Sequence, residues 1–202
     1  MAAIDYQSTT IAVIILAAGR SSRLGSAKQS LKYRGKTLLQ HSIDTALESR
    51  ASPVIVILGS GKESIEKELD QTPIFIYGNT SWETGMASSI SCGINNLNLI
   101  APDSDAVILM VCDQPHVSST LLNELMHQHQ QTGKNIIASS YDNTMGTPAL
   151  FHKSLFSELL ALEGEKGAKA LIKKYPEIVD HVFFDEGGID IDTRENYRNL
   201  SK

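Results

Sequence analysis

The chain has 202 residues, with 18 Lys and Arg against 23 Asp and Glu for a net charge of −5. A chain of this length buries roughly 70% of the surface its unfolded form exposes, so it needs no disulfide or metal staple and fits one domain over residues 1–202. The acidic balance argues against a nucleic-acid partner or an anionic membrane surface and leaves positive charge to be used locally. The opening residues, MAAIDYQSTT, lack a basic start and an apolar core, and no uninterrupted apolar run approaches the ~18 residues of a membrane span. The expectation is a soluble, cytoplasmic protein whose two cysteines, Cys92 and Cys112, are reduced and buried.

In chain order, apolar runs rich in branched residues alternate with stretches of helical period: Ile11–Leu16, Thr37–Glu48, Val54–Leu58, Glu63–Leu69 and Ile74–Tyr77. This is β-α-β-α-β order. The helix from Thr37 places Leu38, Leu39, Ile43, Ala46 and Leu47 on one face, with Thr37 as its N-cap. A second unit reads as helix over Met86–Asn95, strand over Ala106–Cys112, helix over Ser118–Thr132 and strand over Asn135–Ser140. Beyond Tyr141 come an apolar piece at Pro148–Phe151, helices near Lys153–Leu160 and Gly167–Lys174, and short strands around Ile178–Phe184 and Ile189–Ile191. Near-continuous apolar strands separated by helices predict a mostly parallel sheet covered on both faces.

In such a sheet the loops leaving the carboxyl ends of the strands open on one edge, where ligands bind. Three unusual loops do so: Ala17–Lys28, Gly59-Ser60-Gly61 and Asp113-Gln114-Pro115. The first carries Arg20, Arg23 and Lys28 and no acid, yet Gly19 and Gly25 match neither the P-loop nor the Gly-x-Gly-x-x-Gly signature. Two readings stand for it. Ala17, Ala18 and Gly19 admit a close backbone approach to an anion that Arg23 and Lys28 would neutralise, or the loop is a solvated surface segment. Asp113 ends a buried strand in a carboxylate, which is costly unless it meets water, donors or a cation; magnesium, an oxygen-seeking ion held by one or two carboxylates and substrate phosphates, suits it. Asp190 and Asp192 in IDIDT share one face of an extended segment and supply a second carboxylate, or Asp192-Thr193 caps a helix over Arg194–Leu200. The histidines suggest no metal site: His127 and His129 stand two apart on a helix, which does not place them on one face.

Five segments, in order, carry a family resemblance: LAAGRSSRLGSAK with GKTLL, NTSWETGMASSI, VCDQP, GTPALF with LEGEKGAKAL, and DIDTRENY. The chain resembles the MobA-like nucleotidyltransferases, and within them the molybdenum cofactor cytidylyltransferases. The resemblance implies a three-layer α/β/α Rossmann-like nucleotidyltransferase fold with a mostly parallel central sheet, an N-terminal half that binds nucleotide and a C-terminal half that binds the acceptor. It implies a magnesium-dependent enzyme that transfers CMP from CTP to the terminal phosphate of a molybdopterin-type cofactor. It also leaves room for GTP, for a sugar-phosphate acceptor, or for a non-catalytic protein that binds the cofactor and delivers it to a molybdoenzyme client.

Carried over residue by residue, the resemblance places Leu16, Ala17, Ala18 and Gly19 in the nucleotide pocket, with Gly59 on the neighbouring loop and Arg23 and Lys28 on the triphosphate. It makes Lys28, Arg23 and Asp113 catalytic, gives Mg2+ to Asp113 and Asp192, and takes Ala18 and Gln114 as marks of the cytidylyl branch. Asn79, Trp82, Gly85, Met86, Ser88 and Ser89 fall in the family's pterin-side loop. Leu24, Ser30, Thr147, Glu165, Arg194 and Asn196 depart from the usual pattern without removing a proposed ligand. Thr147 and Glu165 fall in the acceptor half, so they bear on the acceptor more than on the nucleotide.

Overall fold

The computed structural model describes residues 9–19, 28–59 and 72–200, together with positions 62, 65, 66 and 69. Arg23 and most of the Glu63–Leu69 helix expected from the sequence lie outside the described residues. Seven strands form one sheet in the order β5-β4-β1-β6-β8-β7-β9. These are β1 (Ile11–Ala17), β4 (Val54–Leu58), β5 (Phe75–Gly78), β6 (Ala106–Val111), β7 (Ile136–Tyr141), β8 (Thr144–His152) and β9 (Val179–Phe183). β1 pairs in parallel with both β4 and β6, and β8 alone runs antiparallel to its two neighbours. A separate two-stranded hairpin joins β2 (Lys32–Tyr33) to β3 (Lys36–Thr37).

Strand alternation sorts the core into two layers. From β1, Val13, Ile15 and Ala17 face helices α1 (Leu38–Glu48) and α3 (Ser119–Thr132), meeting Leu39, Ile43, Leu122 and Leu125. The intervening Ala12, Ile14 and Leu16 face helix α2 (Met86–Ile100) through Ile90, Ile94 and Leu97, in a layer completed by α4 (Phe156–Leu160) and α5 (Lys169–Lys174). The result is the three-layer α/β/α arrangement. The expected Thr37 cap forms, with Thr37 Oγ1 accepting from Gln40 N at 3.1 Å, and Ser118 caps α3, its Oγ accepting from Leu121 N at 3.2 Å.

Three sequence expectations differ from the structure, the first being burial of both cysteines: Cys112 is buried but Cys92 only half-buried. Ile189–Ile191 forms no strand; its tie to the body is Ile191 N donating to Asp113 O at 3.0 Å, while the Ile191 side chain is buried between Tyr33 and Leu38. β8 starts at Thr144, not Pro148, because the residues Asp142 (φ 46°) and Asn143 (φ 57°) turn the chain back tightly into a hairpin with β7. Helix α6 (Arg194–Leu200) follows the last segment, and Tyr197 Oη donates to Lys32 O at 2.6 Å.

Gly93 lets α2 sit directly on β1, since a Cβ there would stand 2.8 Å from Ile14 Cγ2. Ile14 is fully buried and β-branched, so it has no room to yield. Gly93→Ala is therefore expected to lower stability by about 2 kcal/mol despite its better helix propensity, as read from urea unfolding.

At the other end of the sheet, Asp105 accepts from Thr10 N at 3.1 Å and Lys153 Nζ at 2.9 Å, joining the starts of β1 and β6 to the end of β8. The Lys153 hydrogen bond, against a smaller opposing burial effect, holds the Asp105 carboxyl below its usual value of 3.8. A depressed carboxyl stabilises the fold above its unfolded pKa and loses that contribution as pH falls through the folded value. Asp105→Asn should cost less than about 1 kcal/mol at pH 7, because solvent screens the pair, and in chemical denaturation the deficit should shrink as pH falls below 3.8 and through the folded value.

Candidate active site

β1 lies between β4 and β6, so the chain leaves β1 on one side of the sheet and later returns on the other. The carboxyl ends of these strands flank the crevice at which α/β sheets bind ligands. Lys28 stands eleven residues beyond β1 (Ile11–Ala17), and Asp113 two residues beyond β6 (Ala106–Val111). Lys28 Nζ donates to Asp113 Oδ2 at 2.9 Å and also to Asp192 Oδ1, a partner 164 residues away. The structure thus gathers three of the candidate residues onto one ammonium group. The lysine and Asp113 side chains retain only 18% and 21% of their exposure, so water screens this pair weakly.

Burial lowers the Lys28 pKa, but Asp113 and Asp192 more than reverse that effect and the ammonium is held above 10.5. Asp190 stands beside the same charges: burial first, then Asp113 and Asp192, push its carboxyl up to about 6. The alternating IDID pattern was the sequence signal for it. Cys112, next to Asp113, is buried and its thiol is pushed up to about 12 by desolvation, so it is no nucleophile. Among the described residues, no group of three or more His, Cys, Asp and Glu stands in a metal-binding arrangement. The acidic oxygens of Asp113 and Asp192 meeting at one cation are nonetheless the hard donors that a small divalent ion takes together with phosphate oxygens.

A cavity of about 200 Å³ is lined from the end of β1 by Leu16, Ala18 and Gly19 and from the α2 entrance by Trp82, Gly85, Met86 and Ser89. Glu83 and Glu165 complete the lining; neither stood among the candidate site residues, though both fall in segments that carry the resemblance and Glu165 is the departure noted in the acceptor half. The expected nucleotide residues and part of the expected pterin-side loop therefore border one space. Ala17 does not line it, because strand alternation buries its methyl in the opposite layer. Gly59 is explained by packing: a Cβ there would stand 2.8 Å from Ala18 O and 3.0 Å from Trp82 Cγ.

Asn79 and Ser88 act within the wall of the cavity. Asn79 is buried, donates to Ser88 Oγ at 2.8 Å and Ser89 Oγ at 3.1 Å, and accepts from Ser81 N at 2.9 Å. Ser88 Oγ donates in turn to Gly85 O at 2.8 Å. Gln114 is also buried, and its side chain is engaged by Gly187 O at 3.0 Å and Thr147 Oγ1 at 3.3 Å.

The two halves of the chain touch at Gly85, where φ is +116° and a Cβ would stand 2.3 Å from Gly164 O. Ala87 N donates to that carbonyl at 3.1 Å. Gly85→Ala combines backbone strain with this clash, so it should lower stability by about 3 kcal/mol in denaturant titration and displace the loop bearing Glu165 from the cavity.

The fold and the acid–lysine crevice define an α/β nucleotide-handling protein. The chain matches the MobA-like NTP transferase domain over residues 13–179, and it belongs to that family of nucleotidyltransferases. It is similar to nicotine blue oxidoreductase of Paenarthrobacter nicotinovorans, 29% identical over 205 residues and covering 97% of this chain and 98% of that one. Purine catabolism protein PucB of Bacillus subtilis is 28% identical over 194 residues, covering 91% and 92% of the two chains. Among solved structures, Rv0371c from Mycobacterium tuberculosis in complex with manganese superposes with a TM-score of 0.80 at 26% identity, covering 96% of this chain and 98% of that one. No helix among the described residues is long and apolar enough to cross a membrane.

Proposed function

We propose that the protein transfers CMP from CTP to the terminal phosphate of a molybdopterin-type cofactor, releasing pyrophosphate. The observation that carries this reading is the meeting of Asp113 and Asp192 on Lys28 at the carboxyl ends of β1 and β6, where the end of β1 also supplies Leu16, Ala18 and Gly19 to the cavity lining. In this reading the N-terminal half of a single domain holds the nucleotide and the C-terminal half the acceptor.

In this reading Lys28 leaves its carboxylate partners for the triphosphate, with Arg23 as its companion. Asp113 and Asp192 would hold Mg2+, and the manganese found in a relative's structure supports a divalent ion for the family. Such an ion, when bound, would offset charge on the phosphates and on the departing pyrophosphate. The attacking group is a phosphate monoester whose second pKa is about 6, so one of its oxygens is already anionic at pH 7 and no side chain has to remove a proton. That oxygen bonds to the α-phosphorus as the bond to the β-phosphate oxygen breaks, and the electron pair leaves with pyrophosphate. The chain's own contribution is positioning and charge neutralisation.

The choice of CTP rests on the resemblance at Ala18, which lines the cavity. Two relatives carry names from heterocycle metabolism, which agrees with a molybdoenzyme that oxidises a heterocycle as the client of the finished cofactor.

The test is pyrophosphate release with the molybdenum cofactor, Mg2+ and each of CTP, GTP, ATP and UTP. Release with CTP alone is expected, and Asp113→Asn and Lys28→Met should each reduce turnover by roughly 100-fold or more. Near-normal release by either variant would remove its role. Release only with GTP would move the protein to the guanylyl branch, and release only with a sugar phosphate would change the acceptor. CTP held at 100 times its dissociation constant should add about 2.7 kcal/mol of stability; that gain without any nucleotidylated acceptor would favour a binding and delivery protein.

A further inference from the structure

We infer that Gln114 is a positioning residue: it fastens the segment 184–192 against the loop that bears Asp113, and so sets where Asp192 stands. The inference rests on the reading of Asp192 as a ligand-side carboxylate, and it gives Gln114, which the resemblance takes as a mark of the cytidylyl branch, a role away from the nucleotide base.

The side chain is 3% exposed and its polar atoms are engaged inside the chain. Its Nε2 donates to Gly187 O at 3.0 Å, and its Oε1 accepts from Thr147 Oγ1 at 3.3 Å. It does not line the cavity that holds Leu16, Ala18 and Gly19. A base reader would need to present a donor or acceptor to that space, whereas leaving these buried partners unpaired would cost the chain their desolvation.

What Gln114 holds is a segment with no strand pairing of its own. Residues 185–188 turn twice, with Gly187 N donating to Phe184 O at 2.9 Å and Ile189 N to Glu186 O at 3.1 Å. The turn lies so close to the β7–β8 hairpin that a Cβ at Gly187 would stand 2.3 Å from Tyr141 Cδ1. Farther on, the segment is pinned at Ile191, through Asp113 O and the Tyr33–Leu38 pocket. Gln114 therefore fixes one end of a span whose other end adjoins Asp192, while its own backbone neighbour carries the first carboxylate. One dipeptide, Asp113-Gln114, supplies one acid and locates the other.

The experiment compares the wild-type chain with Gln114→Met, which keeps length and removes the hydrogen bonds, and with Thr147→Val, which removes one of them. Ile94→Val, in the opposite core layer, is the control for general loss of stability. Amide exchange at Gly187, Ile189 and Ile191 should rise about tenfold in Gln114→Met, less in Thr147→Val, and not in Ile94→Val. Mn2+ affinity of the protein alone should fall about tenfold in Gln114→Met, while the ratio of kcat/KM for CTP over GTP stays within threefold of wild type.

Unchanged exchange in the segment, or a changed nucleotide ratio with unchanged exchange, would overturn the inference. So would faster exchange with undiminished Mn2+ binding. A wild-type chain that takes up no Mn2+ would sink the metal reading instead, and the exchange result would still decide whether Gln114 holds the segment. Should Gln114→Met fail to fold, Thr147→Val carries the same comparison.

Discussion

The ammonium group of Lys28 lies between two carboxylates that the sequence separates by most of its length. Lys28 and Asp113 are drawn largely out of water while Asp192 stays half-exposed, and charges so placed are less favourable singly than together, because each satisfies groups that would otherwise be stranded. The arrangement needs three backbone routes to end at one place: the loop leaving β1, the turn after β6, and a segment near residue 192 that belongs to no sheet. The rest of the architecture can be understood as the means of bringing those routes together.

The sheet supplies the first two. Because β1 pairs in parallel with both β4 and β6, neighbouring carboxyl ends are fixed side by side at the spacing of hydrogen-bonded strands. β8 then reverses direction and lets β7 and β9 extend the sheet without another crossover through the crevice. The third route depends on small residues and buried polar contacts: glycines at 187 and 188 pass the β7–β8 turn at close range, and Ile191 plugs the space between the small hairpin and α1. The cavity wall follows similar logic, with Gly85 against Gly164 and Asn79 organising the first turn of α2.

Much of this was readable in the residues. The unbroken apolar runs of β1, β4 and β6, the Thr37 and Ser118 caps, and the placement of Asp113 just after a buried strand follow from local chemistry. For Asp192 the IDIDT alternation offered a second carboxylate or a helix cap, and the family resemblance favoured the carboxylate. Less readable was anything that depends on distant partners. Ile189–Ile191 alternates like a strand, yet its apolar side chains are divided between a buried pocket for Ile191 and a largely exposed Ile189. Gln114 looks like a motif letter until its contact with Gly187 is seen, and Ala17 looks like a pocket residue until the strand's alternation is followed through. The Arg34-Gly35 and Asp142-Asn143 turns, all four residues at positive φ, carried a hairpin signal that the apolar pattern overshadowed.

The 164-residue separation between Lys28 and Asp192 also bears on how the molecule forms. Contacts between such remote stretches bring a large loop-closure entropy cost, and they come late when a chain emerges from its N-terminal end. The sheet centre around β1, β4 and β6 has everything it requires once residue 111 has been made, whereas the charged crevice must wait some eighty residues more. Nascent polypeptide would thus acquire its scaffold well before its chemistry, with the carboxylate of Asp113 and the ammonium of Lys28 paired in advance of the group that completes them.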